Sequence, residues 1–215
     1  MSRRGNKAIA QLIMQSVSRD LLLGIEEALT TGSMRAFGAS KGMHEGHLKT
    51  AVGQLRSLHM NETFNEALLA GGANPTALKG NSLVVGRSGM ITLSRFNVSS
   101  KTWNNGRRSA IRRQLAKANQ AISQLVQPGL FDPEPITEAT VFFVASFSGS
   151  MAIQPETPQT IYIAVPDKDM KSWIFQESLE RFCERYFEIE NPQQPDTAKP
   201  KLKPGLAARE RKGQS

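Results

Sequence analysis

The chain has 215 residues, a formal net charge of +8 and 39% hydrophobic residues, enough apolar material for one core of ordinary size. No run of eighteen or more apolar residues occurs, which excludes a helical membrane span. A single cysteine, Cys183, excludes an internal disulfide and fits a reducing, cytoplasmic setting.

The basic start, with Arg3, Arg4 and Lys7, leads into an amphipathic rather than a continuously apolar segment, so no export signal is expected. A first helix is predicted over Asn6–Leu29, where Ile9, Ile13, Val17, Leu21, Ile25 and Leu29 recur every four residues. Ser33–Gly42 is rich in small residues and reads as an irregular loop. A second helix is expected over His44–His59. A short third one, capped by Asn61, covers Glu62–Leu69 and is stopped by Gly71-Gly72-Ala73-Asn74-Pro75. Leu83-Val84-Val85 and Met90–Leu93 flank the turn formers Gly86-Arg87-Ser88-Gly89 and predict a hairpin whose second strand extends to Val98.

From Arg108 onward, Ile111, Leu115, Ala118, Ile122, Leu125 and Val126 keep a 3–4 spacing and predict the most regular helix of the chain, ended by Pro128-Gly129. Val141–Phe147 is apolar at both parities, as a strand covered on both faces would be. Thr160–Val165 reads as another strand. Ser172–Phe187 reads as a last helix burying Phe175, Leu179, Phe182, Cys183 and Tyr186, with Glu177 and Arg181 paired across one turn. The order is then α-α-β-β-α-β-β-α. It describes an α+β fold of about four strands in two pairs with four to five helices, the strand order left open. Residues 1–190 read as a single domain. Residues 191–215, with four prolines, six Lys/Arg and almost no bulky apolar side chain, read as a disordered basic tail.

Charge is unevenly distributed. Residues 35–117 hold thirteen Lys/Arg against three acids, whereas residues 118–190 hold four Lys/Arg against eleven acids. Either the two stretches pack together and neutralise each other, or the basic one meets an acidic partner. Arg107, Arg108, Arg112, Arg113 and Lys117 fall within eleven residues with no acid among them. On a helical wheel Arg112, Arg113 and Lys117 point away from the apolar stripe. Cations at a helix start oppose the helix dipole, so local helix stability does not account for them. Guanidinium groups bind phosphate bidentately, which points to a nucleic-acid backbone. The expected function is therefore non-enzymatic nucleic-acid binding through these five residues, helped by Arg87, Arg95 and both tails. DNA is favoured over RNA, because two tryptophans and two tyrosines are few for a reader of stacked single strands.

Two alternatives stay open. Glu156, Asp169 and Lys171 loosely resemble the acid…acid-x-Lys pattern of the restriction-endonuclease-like fold, which would imply Mg²⁺-dependent nuclease chemistry. The pattern departs from that family in its first acid, Glu for Asp, and in lying beyond Pro166, outside a strand. The other alternative is a protein of toxin–antitoxin or defence type that binds an acidic protein partner. His44, His47 and His59 are all the histidines of the chain. His59 lies twelve residues past His47, about 18 Å along a helix, too far to share one ion. No metal and no cofactor is expected. Truncation after Glu190 should leave the melting temperature nearly unchanged, because the tail lacks apolar anchors; a fall of many degrees in a thermal melt would show that it docks.

Overall fold

The computed structural model describes residues 3–99, 103–126, 135–149 and 154–190. The expected tail, 191–215, lies outside them. The architecture is α+β, with N-terminal helices, a five-stranded mixed sheet and a C-terminal helix. No helix among the described residues is long and apolar enough to cross a membrane.

Helix α1 (Arg3–Ser16) and helix α2 (Arg19–Ser40) replace the single helix predicted over Asn6–Leu29. The break falls at Val17–Ser18 because the Ser18 hydroxyl accepts from the Leu21 amide at 3.2 Å and caps α2. The four-residue apolar spacing survives the break: Ile9, Ile13, Val17, Leu21, Ile25 and Leu29 are all buried in one core. Helix α2 then runs straight through Ser33–Ser40, where a loop was expected. Its small residues form the stripe that lets α3 approach. A Cβ on Gly32 would stand 2.7 Å from Met60 Cα, and Ser33 and Ala36 are fully buried.

Helix α3 (Glu45–Ala70) is one helix where two were expected. Asn61 does not cap a new start. It sits mid-helix and turns its amide outward, donating to the Ser82 carbonyl at 3.3 Å and accepting from Arg95 Nε at 3.0 Å. Tertiary hydrogen bonds thus explain an Asn that local propensity would place at a cap.

The sheet order is β1 (Val85–Ser88), β2 (Ile91–Ser99), β3 (Ala139–Phe147), β4 (Thr160–Pro166) and β5 (Trp173–Ser178). The predicted two pairs are joined into one sheet, because β2 and β3 run parallel and residues 100–138 cross over between them. The other pairings are antiparallel. β5 occupies what read as the start of the last helix, and helix α6 (Leu179–Glu190) begins only after it. Phe175, Leu179 and Phe182 fit a helical spacing. However, Ile174 and Phe175 also suit a strand, and the open edge of β4 supplies the hydrogen-bond partners that decide the outcome.

Side-chain alternation along β3 splits the core. Val141, Phe143 and Ala145 join α1, α2, α3 and α6 in the larger cluster, whereas Phe142 and Val144 join Phe96, Val98, Ala164 and Met170 on the opposite face. β3 is therefore covered on both sides, as its apolar run predicted.

The crossover departs most from expectation. Helix α4 (Ala110–Ala116) lasts seven residues. A 3₁₀ turn, Lys117–Gln120, follows it, and then the one-turn helix α5 (Ser123–Val126). Asn119 explains the break. Its side chain is completely buried. It donates to the Thr140 and Pro166 carbonyls at 3.0 and 2.9 Å and accepts from the Thr140 amide at 2.7 Å. It thereby satisfies backbone groups at the start of β3 and the end of β4. The predicted stripe is divided accordingly: Leu115 packs on the smaller cluster, Ile122 on the larger one, and Ile111 is 56% exposed. Asn119→Ala would strand three buried backbone groups at about 1–3 kcal/mol each before relaxation. Chemical denaturation should register a loss of several kcal/mol; a loss below about 1 kcal/mol would show that water replaces the amide.

Candidate nucleic-acid interface

A 3₁₀ helix, Trp103–Arg108, carries Arg107 and Arg108 in its last turn and leads into α4. The Ser109 hydroxyl caps α4 by accepting from the Arg112 amide at 3.4 Å. Arg107, Arg108, Arg113 and Lys117 are exposed along this segment. Four of the five predicted cations therefore face solvent. Arg112 does not follow the wheel. Its guanidinium carbon lies 4.7 Å from the centroid of the Phe96 ring, its Nε is buried, and its Nη1 donates at 3.5 Å to the Gly106 carbonyl. The correction has a simple cause. With Ile111 turned outward, the face of α4 that meets the sheet is rotated from the predicted stripe toward Arg112.

Arg113 and Lys117 form one wall of a groove of about 450 Å³. The opposite wall is the β4–β5 turn, which contributes Lys168, Asp169 and Lys171. Among the described residues Asp169 is the only acid in the lining, and its carboxylate lies 4.0 Å from Lys171 Nζ, both side chains being largely exposed. The turn is rigidly built. Asp167 accepts from the amides of Asp169, Lys171 and Ser172 and from the Ser172 hydroxyl, at 2.6–3.0 Å. Burial alone would raise the Asp167 carboxyl. The hydrogen bonds from Ser172, Lys171 and Asp169 outweigh it and hold the group below its ordinary range. Met170 adopts φ 54°, an uncommon conformation for a residue with a side chain, and buries that side chain beside Phe96. The loop is thus pinned from both sides and presents its two lysines toward α4.

A second recess, of about 320 Å³, opens on the other side of α4. β1 pairs with β2 only as far as Ser94, and the recess occupies the edge that β1 leaves free. Arg95 is 4% exposed there and donates to neutral acceptors alone: Asn61 Oδ1, Asn97 Oδ1 and the Ser57 carbonyl, at 2.9–3.0 Å. Burial, together with the neighbouring Arg112 charge, pushes the Arg95 guanidinium down to about 9. Burial lowers Arg112 as well.

Glu156 and Asp169 are not brought together. They stand beyond opposite ends of β4, whose seven residues separate them by roughly 20 Å. His44 caps α3, its Nδ1 accepting from the Gly46 amide at 3.2 Å, and His59 contacts Glu62 across one turn. No group of three or more His, Cys, Asp or Glu side chains among the described residues could hold a metal ion. Cys183 is buried, and burial pushes its thiol up to about 11, consistent with a core position.

Sequence reasoning missed Lys168, placed Lys171 only in the nuclease pattern, and named Arg95 only as a helper of the five cations. The two lysines sit in an acid-rich stretch and become part of the basic groove only through folding. Arg95 had a signal: it is the one charged residue of β2. Because the Asp167 carboxyl is held low, its stabilisation is present above the ordinary carboxyl range of about 4 and is lost as pH falls through the folded value. Asp167→Asn should therefore melt below wild type at neutral pH, with the gap closing in acid; a gap independent of pH would show that charge at Asp167 plays no part. No family model, curated protein or solved structure matches the chain.

Proposed function

We propose that this protein binds nucleic acid without catalysing a reaction, DNA in preference to RNA, by contacting the phosphate backbone along the groove between α4 and the β4–β5 turn. One observation carries the reading. The acid-rich stretch 118–190 has four cations: Arg181 and Arg185 reach Glu177, whereas Lys168 and Lys171 line the groove opposite Arg113 and Lys117. The basic stretch is thus faced by further cations where the two meet, and mutual neutralisation does not describe this surface. Arg107 and Arg108, exposed at the entrance to α4, extend the positive strip. Such a strip attracts phosphates and releases their counterions on binding. A backbone-contacting mode suits it, because groove cations position a duplex without reading bases. Trp173, one of the two tryptophans, is stacked with Phe96 and half-buried, so it offers no free platform for an unpaired base.

The test is the salt dependence of duplex binding. Replacing Arg113 and Lys117 together by alanine should weaken duplex DNA binding. The slope of log K against log salt should become shallower by up to about 1.8, at about 0.9 for each phosphate that is no longer neutralised. Both side chains are exposed, so the melting temperature should change little. An intact chain that fails to bind duplex DNA at low salt overturns the reading and directs attention to an acidic protein partner.

A further inference from the structure

We infer that the recess holding Arg95 and Arg112 is a binding site for a single doubly charged phosphate group, separate from the groove and independent of what the groove binds. Two guanidiniums occupy this recess, and no carboxylate among the described residues lines it. Elsewhere the fold handles a half-buried arginine in the ordinary way: Arg185 is held bidentately by Glu177, at 2.8 and 3.0 Å. Arg56, which is also buried, is closed off by neutral acceptors on all three nitrogens, namely Ser33, Gln154 and the Pro155 carbonyl. Arg95 follows the second pattern, with neutral acceptors on all three nitrogens, but Arg112 beside it follows neither. Two like charges lie close enough to perturb each other, and the buried Nε of Arg112 has no partner among the described residues. Burying charges without a counterion is costly unless something compensates them.

Arg95, Asn97 and Arg112 all line the cavity. Arg95 uses three of its five N–H groups on Asn61, Asn97 and Ser57, which fixes the guanidinium plane and leaves two N–H groups over. Asn97 spends its carbonyl oxygen on Arg95, so its amide N–H₂ stays available. Arg112 keeps most of its donors, its one bond to Gly106 being long. Cationic donors held in place by neutral partners around a recess without a carboxylate among the described residues suit an anion. The charge count selects the ligand class: two cations match a phosphate dianion better than a carboxylate. Guanidinium forks suit its oxygens geometrically. The volume of about 320 Å³ is some ten times the roughly 30 Å³ share of one water, so the phosphate can bring an attached group with it.

The experiment uses the full chain and inorganic phosphate, compared with chloride at matched ionic strength. Phosphate should raise the wild-type melting temperature in a saturable way, and Arg112→Gln should weaken half-saturation by about tenfold or more, the loss expected for a charged hydrogen bond. Arg113→Ala with Lys117→Ala should leave the phosphate response intact, which separates this site from the groove. Should Arg112→Gln fail to fold, Arg112→Lys keeps the charge but not the fork and is read for the same weakened response. The same phosphate response in wild type and variant would be general salting of the folded state and overturns the site. A 5′-phosphorylated oligonucleotide and its 5′-hydroxyl twin distinguish the sources. A preference for the phosphorylated strand, lost in Arg112→Gln, identifies a nucleic-acid end. No preference, with the inorganic phosphate response retained, identifies a small phosphorylated molecule.

Discussion

Three hydrogen bonds made by one buried amide organise the half of the molecule that carries the basic groove. Parallel strands β2 and β3 require a crossover, and its chain must return to the sheet at the start of β3. Asn119 makes that return by bonding the backbone of Thr140 at the start of β3 and of Pro166 at the end of β4. The Thr140 hydroxyl completes the junction by donating to the Leu115 carbonyl at 2.7 Å. An uninterrupted helix could not place this amide so deep, so the helix ends at Ala116 and tightens into a 3₁₀ turn. Because Asn119 also holds the last residue of β4, it keeps α4 and the β4–β5 turn side by side. The groove between them follows from that junction.

Charge placement then becomes intelligible. Among the described residues the sheet is covered by α1, α2, α3, α5 and α6 on one face and by little more than α4 on the other. Beside α4, exposed Arg113 and Lys117 gather with Lys168 and Lys171. Helix α4 divides its cations between two environments. Arg113 and Lys117 point into water, where their mutual repulsion is screened and costs little. Arg112 points under the helix toward Arg95, where screening is weak and repulsion is expensive. The first arrangement suits a long polyanion, the second a single compact dianion. Both arrangements come from one seven-residue helix, and the proposed phosphate contacts would account for a basic cluster at a helix start that the helix dipole itself disfavours.

Much of the fold was legible in the residues. The four-residue repeat from Ile9 to Leu29 and the doubly apolar β3 each follow from a single periodicity that survives in the structure. The predicted hairpin formed, but its first strand is Val85–Ser88, most of the expected turn, because pairing with Ile91–Ser94 claimed those residues and left Gly89-Met90 to turn. Readings failed where one local pattern admitted two outcomes. Small residues at 33–40 suit a loop or a close helix pair, and the approach of α3 decided for the pair. Trp173–Ser178 suits a helix start or an edge strand, and the unpaired side of β4 decided for the strand. At the candidate site, the outward directions read for Arg113 and Lys117 hold, and that read for Arg112 does not.

What the sequence determined by itself is local. Composition and spacing set where apolar faces and cations lie along the chain, because helix and strand periods are properties of the backbone. What only the tertiary structure decided is which of those cations share a surface. Lys168 and Lys171 join Arg113 and Lys117 although some fifty residues separate them, and Arg95 meets Arg112 across the edge that β1 leaves open. Both meetings depend on strand order, on the length of β1 and on the Asn119 junction. These are contacts between distant segments, settled by burial of the whole core and absent from any single stretch of sequence.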